Sequence, residues 1–280
     1  MSDALGGVYT FSGVVENHVG MQKVGKIRDA FTSADLVVLS NWFNARGALA
    51  HIIDLKDDIP KDFRSTFNSG HVLMIRQGVH ALGVDPVDLF AEFKGARPDT
   101  KYFDQRRQRV LNKNARYNFN VGEEAQEANY PEGKGTIHPF GQMPVLAQVR
   151  AKIGEIVSPQ DHPALFSKLS GLLAEANVYH SEKSGIGFHG DAERNIVLGA
   201  NMGESRRLEF QGFLDNFPVG NRRVFRIKHG DMYAMGDTAT GHNWSASQYR
   251  TPHYRHRAGY DGWLDADEKA NQKKWGKRAA

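Results

Sequence analysis

The chain has 280 residues, with 36 Lys and Arg against 32 Asp and Glu, giving a formal net charge of +4. Its hydrophobic fraction of 40% and aromatic fraction of 10% suit a chain that buries a substantial core as one domain, or one domain with an arm. No run of about 18 apolar residues occurs, which excludes a membrane-spanning helix, and with no cysteine any metal must be held by His, Asp or Glu.

The N-terminal Met1-Ser2-Asp3-Ala4-Leu5 lacks the basic-then-apolar layout of a signal peptide. With the missing cysteines this predicts a reducing, cytoplasmic setting. The first half reads as mixed α/β. Ser33 caps a helix over Ala34 to Phe43, with Leu36, Val37, Leu39 and Trp42 on its buried face. Ala48 to Leu55 and His71 to Gln77 read as strands. Val84-Asp85-Pro86 opens a helix through Phe93, with the proline where its missing N–H costs little. From Lys101 to Phe119, Lys101, Arg106, Arg107, Arg109, Lys113 and Arg116 alternate with Tyr102, Phe103, Tyr117 and Phe119. That stretch is either a solvated helix face over buried aromatics, or a surface whose cations meet phosphates while an aromatic stacks on a base.

Glu123 to Gly135 reads as a loop. Two helices follow, one carrying Val145, Leu146, Val149, Ile153 and Ile156, the next carrying Leu165, Leu169, Leu172, Leu173 and Ala176 after Pro163. From Asn177 onward the pattern is short strands with glycine turns: 178–188, 195–200, 207–213, 223–228, 231–235 and 252–258. The tail beyond Asp261 is charged and helical.

Inside these strands lies Gly185-Ile186-Gly187-Phe188-His189-Gly190-Asp191-Ala192-Glu193-Arg194. His189 and Asp191, two positions apart on an extended backbone, project to one side. A second histidine from elsewhere would complete the 2-His-1-carboxylate face of non-haem Fe(II) oxygenases. His229, before Gly230-Asp231, suits a hydrogen-bonded structural role better than a ligand, and Trp42 and Trp244 suit core or lid positions.

Together with His229-Gly230-Asp231-Met232-Tyr233-Ala234-Met235, this run resembles the AlkB-like 2-oxoglutarate/Fe(II)-dependent dioxygenases, most closely a group found in large DNA viruses and bacteriophages. Further matching pieces, in the family's order, are Asn114-Ala115-Arg116-Tyr117-Asn118, Gly133-Lys134-Gly135-Thr136-Ile137, Gly241-His242-Asn243-Trp244 and Arg255-His256-Arg257-Ala258-Gly259. The resemblance covers about half the chain. It implies an α+β protein with a double-stranded β-helix (jelly roll) core at 139–262, flanking helices, an N-terminal α/β extension at 1–138 and a charged tail at 263–280.

It further implies oxidative decarboxylation of 2-oxoglutarate with O₂, coupled to hydroxylation of a C–H bond, most readily on a base of DNA or RNA. The alternatives are a protein side chain, a small metabolite, or a non-enzymatic viral nucleic-acid-binding protein on the same scaffold. No membrane partner is expected, and the host cytoplasm or nucleus would be the setting of a virus-encoded member. The implied iron ligands are His189, Asp191 and His256, with His242 as the alternative third ligand. If 252–258 is a regular strand, His256 faces away from Arg255 and Arg257. AlkB enzymes hold 2-oxoglutarate with two arginines six positions apart on the last strand. Here Arg255 matches the motif and Arg257 lies only two positions on. Arg194, Arg116 and Tyr117 are the substrate-side candidates. The resemblance leaves the substrate and the oligomeric state open.

Overall fold

The computed structural model describes residues 4–242 and 249–279. In chain order the elements begin with β1 (Gly6–Ser12), β2 (Val14–Glu16), β3 (Lys23–Gly25), α1 (Ser33–Asn44), β4 (Leu49–Asp54), α2 (Lys61–Arg64) and β5 (His71–Arg76). Next come α3 (Gly78–Ala81), α4 (Pro86–Gly95), β6 (Lys101–Asp104), β7 (Arg109–Asn112), β8 (Tyr117–Gly122), β9 (Ile137–Pro139), α5 (Pro144–Gly154) and α6 (Pro163–Leu169). The last third holds β10 (Leu173–Tyr179), β11 (Gly185–His189), β12 (Val197–Gly203), β13 (Arg206–Leu214), β14 (Phe217–Ile227), β15 (Met232–Met235), β16 (His253–Gly259) and α7 (Asp261–Ala279).

The fold is α+β and mostly sheet. Eight strands pair in the order β4-β5-β15-β12-β1-β10-β8-β9, and four in the order β11-β16-β13-β14; the two sheets are separate, and among the described residues neither closes on itself. Among the described residues only β8–β9 is parallel. Alternation sorts the large sheet's residues to its two faces. Leu73, Ile75, Tyr9, Phe11, Ala174, Ala176, Leu198 and Ala234 pack on one face against Leu36 and Phe43 of α1, Phe93 of α4 and Leu146 and Val149 of α5. Val72, Met74, Val8, Val197, Tyr233 and Met235 face the other way, onto Leu208, Phe210, Phe225 and Tyr254 of the small sheet. The inner faces of the two sheets therefore enclose a second core, and the site is set into it.

The expected division at residue 138 runs through the large sheet. β1, β4, β5 and β8 come before it, β10, β12 and β15 after it, and β9 straddles it. Residues 1–138 and 139–262 share one sheet. β1, which the sequence pattern did not reveal, is its centre: all seven residues are buried, so neither face alternates with polar groups.

Most expected elements recur with shifted bounds, and three differ in kind. The helix expected to carry Leu165 through Ala176 stops at Leu169, and Gly171, at φ +67°, turns the chain into β10. Ala174, Ala176 and Val178 then alternate as a strand, a period that the leucine spacing had masked. The single strand expected over 178–188 is broken by a turn in which Ser184 N donates to the Ser181 carbonyl at 2.9 Å. Lys101 to Phe119 is not a helix: β6 and β7 form a hairpin, with Gln108 at φ +50°, that leads into β8. α1 begins one residue early, on a capping box of Thr32 and Asp35. Among the described residues no helix is long and apolar enough to cross a membrane.

Candidate metal centre

β11 and β16 lie side by side, with Ile186 opposite Ala258 and His189 opposite His256. Three steps along β11 match two along β16, so an extra residue is bulged out between Ile186 and His189. Regular alternation would send Ile186 and His189 to opposite faces; the bulge returns both to the inner one. Phe188 faces outward, under the guanidinium of Arg257 at 4.5 Å. After β11 the chain leaves the sheet at Gly190, whose missing side chain lets Gly241 approach: a Cβ there would lie 2.5 Å from the Gly241 carbonyl oxygen. Asp191 N donates to the Thr240 carbonyl at 2.9 Å, which fixes the turn that carries the carboxylate back over the inner face.

The three side chains meet. Asp191 Oδ1 is 3.5 Å from His189 Nε2 and 3.8 Å from His256 Nε2, and one ligand atom from each residue lies within 4.8 Å of the others. Adjacent ligands of an octahedral ion at about 2.1 Å sit about 3 Å apart, so a slight contraction would close the triad on a metal. His189 Nδ1 donates to the Gly187 carbonyl at 2.8 Å, which leaves the Nε2 lone pair free toward Asp191. Burial lowers the His189 imidazole to about 4 and holds His256 well below its ordinary range, so both are neutral donors. Burial raises the Asp191 carboxyl, opposed chiefly by the Arg194 cation. His256 Nδ1 is buried without a hydrogen-bond partner among the described residues. The donor set of two neutral imidazoles and one carboxylate fits Fe(II).

His242 is not part of the triad; its Nδ1 lies 3.2 Å from the backbone carbonyl of Asp191. Its neighbours Asn243 and Trp244 lie outside the described residues. His229 accepts a hydrogen bond from Gly203 N at 3.0 Å, a structural role as expected. Arg255 and Arg257 lie on the outer face of β16, opposite His256, because strand alternation is unbroken there. Arg255 donates to His253 Nε2 at 3.0 Å and to Asn216 Oδ1 at 2.8 Å, over the ring of Phe213. Arg257, 1% exposed, is bound by Glu209, Asp267 and Glu268. Neither faces the triad, which corrects the expectation that Arg255, or more weakly Arg257, anchors 2-oxoglutarate.

Arg194 is buried against Glu175 and Glu193, each at 2.5 Å, and lines the cavity beside Asp191. Arg116 lines the same cavity, donating to Asn177 Oδ1 at 2.5 Å. Tyr117 does not line it: its ring stacks on His180 at 4.2 Å and faces a different cavity. The site cavity holds about 230 Å³. Its floor is Val8, Tyr179, Val197, Leu208, Tyr233 and Met235, and its rim is Glu16, Asn17, His18, Arg116 and Glu193.

Arg206 was missed. Its guanidinium lies 4.2 Å over the ring of Tyr179, a floor residue, and Nη2 donates to the Gly7 carbonyl at 2.9 Å. At 1% exposure its Nε and Nη1 have no hydrogen-bond partner among the described residues, and neither has the neighbouring Tyr260 hydroxyl. The signal was present: Arg206, Leu208 and Phe210 share the apolar face of β13, where a charge needs a reason.

No family model matches the chain. An uncharacterized protein of Acanthamoeba polyphaga mimivirus is 33% identical over 257 residues, which span 91% of this chain and 96% of that protein. At that identity and coverage, this chain belongs to the same family as the mimivirus protein.

Proposed function

We propose that the protein is an Fe(II)- and 2-oxoglutarate-dependent dioxygenase that oxidises a C–H bond on a nucleic-acid base, by hydroxylation or oxidative demethylation. The observation that carries this reading is the convergence of His189, Asp191 and His256 on one point inside a cavity. The two facing sheets are then the walls of a double-stranded β-helix, with residues of both halves of the chain in the larger wall. Iron, when bound, would couple decarboxylation of 2-oxoglutarate by O₂ to insertion of one oxygen atom into the substrate, leaving succinate and CO₂.

The chain's own contribution is to hold and to orient. The Gly187 carbonyl fixes the His189 tautomer, and burial keeps both imidazoles neutral at physiological pH. Arg206 takes over the role first given to Arg255: a carboxylate would satisfy Nε and Nη1 in the forked geometry that guanidinium favours, with the Tyr260 hydroxyl beside it. About 13 Å of strand separates Arg206 from Phe210, the residue opposite His256. Nucleic acid is favoured by the hairpin beside the rim, where His18 stacks on Tyr102 at 3.7 Å. Lys101, Arg106 and Arg109 have no acidic partner there among the described residues, whereas Arg207, Arg222, Arg223 and Arg226 of the small sheet are all paired.

The test is an anaerobic titration of the full chain with Fe(II) and 2-oxoglutarate, followed by turnover with methylated oligonucleotides. A visible absorption that needs all three components, and succinate in proportion to oxidised base, would support the reading. No iron-dependent change on adding 2-oxoglutarate would sink it. Succinate without any response to nucleic acid would discard the substrate alone.

A further inference from the structure

The rim of the site cavity carries several ionised groups, and most are already matched. Glu175 and Glu193 are bound by Arg194, and Asp191 faces the two imidazoles. Two are left. Glu16, 7% exposed at the end of β2, accepts the Gly20 N–H through Oε1 at 2.8 Å, and its Oε2 has no hydrogen-bond partner among the described residues. Among the described residues Arg116 spends only Nε, on Asn177. It also stands where the site cavity adjoins a second one of about 280 Å³, which runs under the hairpin past Tyr102 and Lys113. One buried carboxylate with a spare acceptor oxygen and one half-buried cation with spare donors flank the way in.

We infer that this rim selects a nucleotide whose base bears an exocyclic amine, with Glu16 accepting from the amine and Arg116 taking the adjoining phosphate. The inference rests on the proposed action on nucleic-acid bases. A carboxylate only accepts hydrogen bonds, so it pairs with the N4 amine of cytosine and opposes the O4 carbonyl that uracil presents at the same position. A guanidinium matches phosphate, carries no sequence information and sets position. The second cavity gives the flanking strand a path beneath the hairpin cations, and the His18 ring, on the border of both cavities, offers a stacking face.

The experiment measures binding of short single-stranded oligonucleotides that differ only in one central cytosine or uracil, by fluorescence anisotropy. Wild type is expected to hold the cytosine strand about tenfold tighter. Glu16→Gln keeps an acceptor for the Gly20 N–H and supplies a donor to O4, so it should erase or invert the preference at unchanged melting temperature. Arg116→Ala should weaken both strands alike. Equal affinities in wild type, absence of binding, or a preference that survives Glu16→Gln would overturn the inference. Failure of the iron and 2-oxoglutarate titration in wild type would instead remove the oxygenase reading, and a Glu16-dependent preference would still stand.

Discussion

Replacing Arg206 by methionine separates two reasons for burying a guanidinium. A structural arginine bonded through all its nitrogens costs about 3–5 kcal/mol when its partners are left behind. Arg206 is different, because Nε and Nη1 are buried and have no partner among the described residues. Removing them relieves about 1–3 kcal/mol of unmet hydrogen bonding for each group. Against this stand the loss of a cation–π contact with Tyr179, about 1–2 kcal/mol, and of one charged bond to the Gly7 carbonyl, about 1.5–3 kcal/mol. The two sides nearly cancel, so Arg206→Met should unfold in urea within about 2 kcal/mol of wild type. Loss of a forked bond to a carboxylate, about 3 kcal/mol, should weaken 2-oxoglutarate binding roughly 100-fold in anaerobic calorimetry on the metal-loaded protein. A variant destabilised by more than about 3 kcal/mol that binds 2-oxoglutarate as wild type does would refute the reasoning.

Other outcomes follow from the same geometry. His256→Ala should lower Fe(II) affinity by at least about 100-fold in equilibrium dialysis, and His242→Ala should leave it within a few-fold, since the His242 imidazole meets the Asp191 carbonyl and not the triad. The metal-free protein should lose stability in acid through His253, which burial lowers from 6.5 to about 4 and whose Nε2 accepts from Arg255. The unfolded chain binds this proton first, so the His253 contribution is constant above pH 6.5 and falls by up to about 3 kcal/mol as pH drops toward 4. His253→Gln should flatten that part of a melting-temperature profile. Asp99→Ala should cost about 3–5 kcal/mol in urea unfolding. Its carboxylate, 2% exposed, accepts from Asn17 Nδ2, the Tyr130 hydroxyl, Thr136 N and Thr136 Oγ1, so four donors would be stranded beneath the rim.

The two candidate ligands close in sequence were legible because His189 and Asp191 sit on one short stretch whose local shape keeps them together. His256 was legible only together with its strand: whether the imidazole or the flanking arginines face inward depends on pairing with β13, which no local pattern states. The bulge in β11 was hidden for the same reason, since its effect exists only relative to β16. β1 escaped notice because a strand buried on both faces has no polar–apolar rhythm. Conversely, leucines at helical spacing through 165–176 imitated one helix, because 3.6-residue and two-residue periods share positions over so short a run. Glu16 and Arg206 carry no sequence motif. They stand out only once the structure shows which charges lack partners.

That distinction between matched and unmatched charge organises the molecule. On the outer face of the small sheet, Arg207, Arg222, Arg226 and Arg257 meet Glu209, Asp261, Asp265, Asp267 and Glu268, and α7 supplies most of those carboxylates. α7 also lays Trp263 on Gly185, where a Cβ would come within 2.2 Å of the indole. The helix thereby clamps β11 and β16, the strands that carry both imidazoles, and its ion pairs are internal to the fold. At the cavity the arrangement reverses: Glu16 and Arg116 on its lining, and Arg206 packed against Tyr179 of its floor, each keep hydrogen-bonding capacity that the described residues do not fill. Burying an unpaired polar atom costs about 1–3 kcal/mol, so the two bare guanidinium nitrogens of Arg206 are where a bound carboxylate would relieve the most.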